Sequence, residues 1–287
     1  MQLIIQIFIY GSALGMLFFL VASGFSLIFG LMRVLNYSHG SLFMLGGFVG
    51  YFTASYTGSF ALGLLAGGLA AGILGLFMER LLIRPLKGNL LNQILLTFGL
   101  IYIFDEVARM IFGTRAYIQT PPEFLRGSTI ILGETVPIYR IFMIFAGVAI
   151  FIAMQLLLQK TKLGMIIRAG IEKPRMVQAI GVNINLVFAA TFALGCFLAG
   201  LGGAIAGPFL GAHTNIGIEQ IFNAIAVVVI GGVGNFAGTF VAAILLGIVQ
   251  YTISFFVPEL AMASTLLLMI AVIIFKPNGL FGGAVNG

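Results

Sequence analysis

Charged side chains are scarce in this chain of 287 residues: 14 Lys or Arg and 8 Asp or Glu make up 8% of it, where about 25% is usual in soluble proteins. So few charges cannot form the polar shell of a soluble domain. Hydrophobic residues reach 61%, and the mean hydropathy is +1.16. These values exclude a soluble enzyme and a disordered chain. They also exclude a nucleic-acid binder, because a scattered net charge of +6 is too small to follow a phosphate backbone.

Cysteine and histidine are rare as well. Cys196 is the only cysteine, which excludes an internal disulfide, and we interpret it as a small packing residue. His39 and His213 lie in unrelated contexts, so the sequence offers no His/Cys cluster for a metal. The motifs H-E-x-x-H and G-x-x-x-x-G-K-[ST] do not occur, and without the second the chain cannot hold ATP through a P-loop. We therefore expect no catalytic site, no metal and no cofactor bound by this chain.

Long apolar runs fill the space between four polar stretches, at roughly 79–89, 113–138, 159–183 and 276–287. A bilayer core takes about 20 helical residues per crossing, so the remainder accommodates eight to ten helices. Continuous apolarity, as over residues 62–77, excludes the alternating pattern of an outer-membrane barrel. The first nine residues hold no Lys or Arg, which predicts a retained first helix rather than a signal peptide. The sequence predicts an all-α polytopic membrane protein with a single domain over residues 1–287.

The apolar runs define eight predicted segments. They cover residues 3–31, 39–55, 60–83, 90–112, 139–158, 184–207, 221–257 and 260–275. The seventh is too long for one helix and contains the run Gly231-Gly232-Val233-Gly234-Asn235, so we predict a half-helix followed by a full one. The expected total is therefore about eight or nine transmembrane helices, with a glycine break near 231–235.

Lys and Arg predict the orientation, because they concentrate in cytoplasmic loops. The stretches 79–89 and 159–183 carry most of them, which predicts that both loops are cytoplasmic. The stretch 113–138 has two Arg balanced by two Glu, which predicts an external loop. The N-terminus is then expected outside.

Glycine is unusually frequent, with 39 residues. Several glycines are four residues apart, as at 11 and 15, 63 and 67, 68 and 72, 203 and 207, and 234 and 238. Small residues at this spacing let helices approach closely in lipid, and a hinge is the alternative interpretation. Close packing is favoured everywhere except at 231–234, where a break is favoured.

Polar residues inside apolar segments are candidates for a translocation path, because each is costly in lipid unless protein or water satisfies it. The first group is Asn36, Ser38, His39 and Ser41, which could line a path or cap the second helix. The second group flanks the glycine break and comprises Asn223, Asn235 and Thr239. Asp105 and Arg109 are four residues apart, which predicts an ion pair on one helix face rather than a substrate contact.

The loop 159–183 contains a short helix signal. Pro174 is typical of a first helical turn, and Gly181 of a helix end. Residues 175–180 between them form about two amphipathic turns outside the bilayer. A solvated connector is one interpretation, and docking into a groove of a cytoplasmic partner is the one we favour.

Four runs together resemble the LivH-type permeases of branched-chain amino acid ABC importers. They are L-N-Y-S-H-G-S-L-F-M-L-G-G (35–47), L-G-M-I-I-R-A-G (163–170), Q-A-I-G-V-N (178–183) and V-I-G-G-V-G-N-F-A-G (229–238). The resemblance extends over nearly the whole chain. It implies the bundle of type II importers, related to the ribose and vitamin B12 permeases, in the inner membrane of a bacterium.

The resemblance also implies partners: a homologous LivM-type permease, two cytoplasmic ATPases that bind ATP and magnesium, and an external substrate-binding protein. The segment 168–183 would then couple the permease to an ATPase. The coupling residues implied are Arg168, Glu172, Pro174, Arg175, Met176, Gln178, Ala179 and Gly181. Branched-chain amino acids are the expected substrates, with other amino acids, urea or amides and aromatic acids as alternatives. A stand-alone secondary transporter or channel needs ionisable residues within its spans, and a scaffold would carry no substrate.

Overall fold

A computed structural model describes residues 2–32, 34–172, 174–179 and 181–282. Within them the chain forms eleven α-helices and one β-hairpin. In chain order these are α1 (Gln2–Met32), α2 (His39–Thr57), α3 (Phe60–Phe77), α4 (Leu90–Phe112), β1 (Ser128–Ile131), β2 (Glu134–Pro137), α5 (Ile138–Lys160), α6 (Lys162–Glu172), α7 (Pro174–Ala179), α8 (Ile184–Leu210), α9 (Ile216–Gly231), α10 (Phe236–Phe256) and α11 (Ala261–Phe275). A π-helical stretch, Met78–Ile83, continues α3.

Five helical segments are long and apolar enough to cross a membrane. They are Gln2–Gly30, Phe60–Leu86, Ile138–Lys160, Ile184–Leu210 and Phe236–Phe256. Helices α2, α4, α9 and α11 pack in the same bundle, so the described residues contain nine bundle helices. The predicted all-α polytopic fold is confirmed.

The two ends of the bundle differ. We call the end that carries α6 and α7 the inner face and the end that carries the β1–β2 hairpin the outer face, following the orientation that Lys and Arg predict. Helix α5 joins the two ends directly. The start of α1 lies at the outer face, where the Tyr10 hydroxyl donates a hydrogen bond of 3.0 Å to the carbonyl oxygen of Thr135.

Glycine brings the helix backbones together, as predicted. An added Cβ at Gly11 or Gly15 would lie 2.7 Å from backbone atoms of α10, so α1 and α10 touch without intervening side chains. Gly203 of α8 is packed in the same way against the backbone of α2 at Phe43 and Gly47. Close backbone approach provides van der Waals contact where lipid removes the hydrophobic driving force between helices.

Helix α3 presents one side to lipid. Its large exposed side chains recur every three or four residues, at Leu62, Leu65, Leu69, Ile73 and Phe77. The glycines of α3 occupy the opposite side and face α2 and α8. This division of side chains is typical of an outer helix in a membrane bundle.

Two elements differ from the sequence expectations. Residues 162–172 form the additional helix α6, which packs against α5 and α8 through Gly164, Ile167 and Gly170. Helix α9 begins at Ile216, five residues before the predicted start at 221. The polar pair Glu219 and Gln220, which precedes the predicted segment 221–257, belongs to the helix.

Candidate functional site

Helices α2 and α9 both begin in the interior of the bundle. The His39 ring Nε2 donates to the carbonyl oxygen of Val21 at 3.2 Å. Val21 is eleven residues before the end of α1, or about 16 Å at 1.5 Å per residue. Gly40 in the first turn of α2 lies directly against Gly217 in the first turn of α9. From this crossing α2 runs to the outer face and α9 to the inner face.

The first group of predicted path residues surrounds this crossing. Asn36, Ser38, His39 and Ser41 are at most 1% exposed. Ser38 Oγ donates to Asn36 Oδ1 at 2.7 Å and makes no side-chain cap for α2. Asn36 Nδ2, His39 Nδ1 and Ser41 Oγ have no hydrogen-bond partner among the described residues. The group is thus an enclosed polar cluster whose path role stays a prediction.

A cavity of about 480 Å³ opens at the inner face. It is lined by one of the predicted coupling residues and by one of the predicted path residues. Arg168 of the coupling segment and Asn235 of the glycine turn both line it. The turn Gly232–Asn235 connects α9 to α10, and Gly232 and Gly234 have φ of +98° and +82°, which glycine adopts without strain. The predicted break is therefore a tight turn at the inner face, beside the end of α1.

Asn235 holds this turn by two hydrogen bonds. Its Oδ1 accepts from the Gly238 amide at 2.8 Å, which caps α10, and its Nδ2 donates to the carbonyl oxygen of Phe281 at 2.9 Å. Thr239 is fully buried, and its Oγ1 lies 3.0 Å from Ser26 Oγ on α1. Asn235 thus supplies hydrogen-bond partners to the backbone at the glycine turn, and its path role stays a prediction.

Two variants of Asn235 should distinguish the contributions of these two hydrogen bonds to the free energy of unfolding. Asn235→Asp keeps the cap and loses the donor to Phe281, whereas Asn235→Ala loses both. We expect Asn235→Ala to lower the free energy of unfolding by about 1–2 kcal/mol and Asn235→Asp to lower it less, since a cap alone contributes about 1 kcal/mol. Thermal unfolding of the purified chain in detergent measures both. Equal losses would show that the cap contributes nothing.

Asn223 lies elsewhere, in a cleft of about 640 Å³ between α1, α9, α10 and α11. Its Oδ1 accepts from Thr265 Oγ1 at 3.4 Å. Besides Asn223 and Thr265, the polar residues of the cleft are Glu219, Gln220 and Gln250, which are not among the predicted path residues. The sequence does carry a signal for two of them. The carboxylate of Glu219 and the amide of Gln220 stand between Ile218 and Ile221, directly before the apolar run.

The predicted Asp105–Arg109 ion pair is wrong. Arg109 Nη1 pairs instead with Glu106 Oε2 at 3.7 Å, and both side chains are largely exposed. Asp105 is buried, and its Oδ1 has no hydrogen-bond partner in the described chain. Helical spacing allowed either pair, and the long Arg109 side chain extends outwards to the exposed carboxylate rather than into the bundle.

The coupling segment forms two helices, α6 and α7. Val177 of α7 is buried, whereas Met176 is 64% exposed and Gln178 and Ala179 are also exposed. Gly181 follows with φ of +84°, and its amide donates to the carbonyl oxygen of Gln178 at 2.9 Å. The predicted helix end at Gly181 is confirmed.

Two residues of this segment, Lys173 and Ile180, lie outside the described residues. Of the predicted coupling residues Glu172, Pro174 and Arg175, the backbone alone is described, and all three belong to α6 or α7. Their coupling role stays a prediction.

A partly buried ion pair between Glu79 and Arg84 follows α3 and contacts the start of α8, next to α7. Arg84 Nε donates to Glu79 Oε1 at 3.1 Å and Nη2 to Glu79 Oε2 at 2.6 Å. The same Nη2 lies 3.2 Å from the carbonyl oxygen of Asn185. The Lys87 ammonium lies 4.1 Å from the centre of the Phe188 ring, and burial lowers its pKa. These contacts fix the inner end of α8, from which α7 is only a few residues away.

Arg84→Met should destabilise the bundle, because it leaves the Glu79 carboxylate, which is 3% exposed, without its partner. We expect a loss of about 1–3 kcal/mol. The double variant Glu79→Leu/Arg84→Met removes both charges and should recover most of this loss. Thermal unfolding of the three proteins measures the effect. A double variant less stable than Arg84→Met would contradict the pairing.

The chain matches a known protein family over most of its length. The family model described as "Branched-chain amino acid transport system / permease component" matches residues 7–274. The chain belongs to this family. The resemblance to LivH-type permeases is thereby confirmed, and we refer to the chain below as the permease. It is a multi-pass membrane transport subunit rather than an enzyme.

Individual relatives agree with this assignment. The high-affinity branched-chain amino acid transport system permease protein BraD of Pseudomonas aeruginosa is 25% identical, over 97% of the permease and 95% of its own length. Protein LivH of the same kind of system from Escherichia coli K12 is 23% identical, over 95% and 93%. The ribose import permease protein RbsC of Haemophilus influenzae is 33% identical, over 42% and 38%.

A solved structure supports the fold. "PsaBC from Streptococcus pneumoniae in complex with Fab" matches with a TM-score of 0.52 and 12% identity. The match covers 93% of the permease and 89% of that chain. At this identity the likeness concerns the fold alone.

Proposed function

We propose that the permease and a second, LivM-type permease form the path by which branched-chain or related amino acids cross the bacterial inner membrane. Two cytoplasmic ATPases drive the cycle and hold ATP and magnesium, and an external substrate-binding protein delivers the substrate. The permease itself holds no cofactor in this proposal. The proposed substrate class is taken from the names of the relatives, which are branched-chain amino acid permease proteins. Their similarity to the permease extends over nearly their whole length.

The observation that carries the proposal is the coupling segment. Helix α6 is anchored in the bundle by Ile167, and α7 by Val177, while Met176 projects away from it. An exposed methionine on a short helix is suited to a groove on another protein, because its flexible side chain fits irregular apolar surfaces. We therefore assign α7 to the ATPase contact.

The outer face supports docking of a binding protein. Its loop carries four largely exposed apolar side chains outside the bundle, namely Ile118, Phe124, Ile130 and Leu132. Large apolar side chains that are exposed on a loop outside the bundle are candidates for contact with another protein. The loop is also tied to the segment that follows α8 by the bridge between Tyr117 and Ala212, so a docked protein could bias the bundle.

The mechanism follows from these two contacts. ATP closes the ATPases, α7 moves with the surface to which it is docked, and α6 transmits the motion to α5 and α8. The cavity lined by Arg168 and Asn235 lies between α6, which moves in this mechanism, and the glycine turn before α10. Rigid-body rocking of the two permeases opens the path to alternate sides.

Reconstitution tests the proposal. Proteoliposomes with the permease, its cognate second permease and the ATPases should take up leucine only with the cognate binding protein and ATP. Omitting the ATPases should abolish uptake. Uptake by the permease alone would instead support a stand-alone carrier, and no flux of any ligand accepted by the binding protein would support a scaffold. A ligand panel on the binding protein decides between amino acids, amides and aromatic acids.

A further inference from the structure

The cleft between α1, α9, α10 and α11 contains the described carboxylate that is hardest to reconcile with lipid. Glu219 lies on α9. It is twelve residues before Gly231, and Gly231 is the residue at the inner end of that helix. At 1.5 Å per residue this is about 18 Å, which is beyond the middle of a bilayer core of about 30 Å. Glu219 is exposed on the isolated chain. A charged group at this depth faces protein or water rather than lipid, so this side of the permease adjoins a partner or a path.

The cleft beside Glu219 holds further unsatisfied oxygens. Gln220 is 5% exposed and lines the cleft, and its Oε1 has no hydrogen-bond partner among the described residues. Gln250 of α10 also lines the cleft, and its Oε1 is likewise without a partner among the described residues. Buried polar atoms without partners are uncommon, and each calls for a ligand or water. Two amides with unsatisfied oxygens and a carboxylate therefore line the same cleft.

Oxygen acceptors that include a carboxylate select a donor with positive charge. A primary ammonium has three N–H donors, one for each of Glu219, Gln220 and Gln250. The remaining wall is apolar and includes Leu14, Phe18, Phe222 and Leu266. A ligand that carries an ammonium on a branched apolar body satisfies both parts of the wall.

We propose that Glu219, Gln220 and Gln250 form an ammonium-binding subsite on the translocation path, and that the apolar wall of the cleft receives the side chain of a hydrophobic amino acid. The second permease covers the open side of this cleft in the assembly. The subsite rests on the proposed function, because it is the transported substrate that occupies it. It gives the permease its own preference for amino acids over amides and carboxylic acids, in addition to that of the binding protein.

Direct binding to the complete, nucleotide-free assembly without binding protein tests the subsite. The probes are 3-methylbutylammonium, which has the ammonium and the branched body, and 4-methylpentanoate, which has the body and a carboxylate. Isothermal titration calorimetry should detect binding of the first and not of the second. Glu219→Gln should weaken the first by about tenfold or more, since charge-assisted hydrogen bonds typically exceed the 1.4 kcal/mol of a tenfold change. Gln220→Leu should weaken it as well.

Glu106→Gln is the matched control, because Glu106 is an exposed carboxylate on α4. It should leave ammonium binding unchanged. Equal binding of the two probes, equal losses in the Glu219 and Glu106 variants, or wild-type affinity in Glu219→Gln would overturn the subsite. The last of these results is also expected if lipid fills the cleft.

Leucine uptake by the same assembly separates this proposal from the broader one. ATP-dependent uptake that is unchanged by Glu219→Gln overturns the subsite and leaves the proposed function standing. Ammonium binding that Glu219→Gln weakens, in an assembly that shows no ATP-dependent uptake, upholds the subsite and contradicts the proposed function.

Discussion

Met176→Asp should reduce ATP-driven uptake at least tenfold without destabilising the permease. Met176 is largely exposed, so a carboxylate there is tolerated by the isolated chain. In the assembly the same carboxylate would be buried against an ATPase. Burying an unpaired charge costs several kcal/mol, and 1.4 kcal/mol already corresponds to a factor of ten. Uptake by proteoliposomes and thermal unfolding of the purified permease measure the two effects separately.

Met176→Leu is the control for this prediction. Leucine has a similar volume and no charge, so uptake should stay near that of the wild type. Wild-type uptake in Met176→Asp would show that α7 does not contact the ATPases. Reduced uptake together with a lowered unfolding temperature would show that Met176 stabilises the bundle instead.

Gly203→Leu should prevent the bundle from forming. A Cβ at this position already overlaps the carbonyl oxygen of Phe43 on α2, and it would lie 2.9 Å from the Gly47 amide. A backbone cannot rotate away as a side chain does, so α2 and α8 would have to separate. Overpacking commonly costs about 1–3 kcal/mol where side chains can shift, and this backbone contact allows no such relief, so the expected cost is higher. Fluorescence-detected size-exclusion chromatography should show loss of the folded peak.

Gly99→Leu supplies the comparison, because α4 leaves an added Cβ at Gly99 with no heavy atom within 4 Å. Gly99 is also exposed, so this variant should fold as well as the wild type or better, since leucine favours helices by about 1 kcal/mol over glycine. Equal behaviour of the two variants would contradict the role assigned to close backbone packing.

The starts of α4 and α8 could be predicted because each is the first residue of a long apolar run. Asn89 precedes α4 and accepts from the Asn92 amide at 3.1 Å, and Asn183 caps α8 in the same way. Both caps stand immediately before apolar runs, and the apolar runs alone predicted the starts at 90 and 184. Helix α9 lacked such a signal: Asn215 makes no side-chain cap, and its first turn includes Glu219. A polar residue such as Glu219 can be assigned to a helix within the membrane only when the helices that pack around it are known.

The candidate site was predicted in part. Asn235 and Asn223 were chosen because polar residues near a glycine break are costly in lipid, and the structure shows that they line two different cavities. Asn36 and His39 were chosen on the same ground, and they are enclosed instead. Periodicity indicates which side of a helix is polar. It does not indicate the depth at which a helix starts, and that depth decides whether a polar group meets a cavity or the bundle interior.

Cross-linking of the assembled transporter tests the central claim most directly, namely that α7 is the contact with the ATPases. The native Cys196 is fully buried, so Met176→Cys introduces the accessible thiol, and Leu132→Cys on the external hairpin is its counterpart. A bifunctional thiol–amine reagent should join the ATPase to the permease at residue 176 and not at residue 132. A cross-link to the ATPase from residue 132, or none from residue 176 in an assembly that transports leucine, would contradict the account.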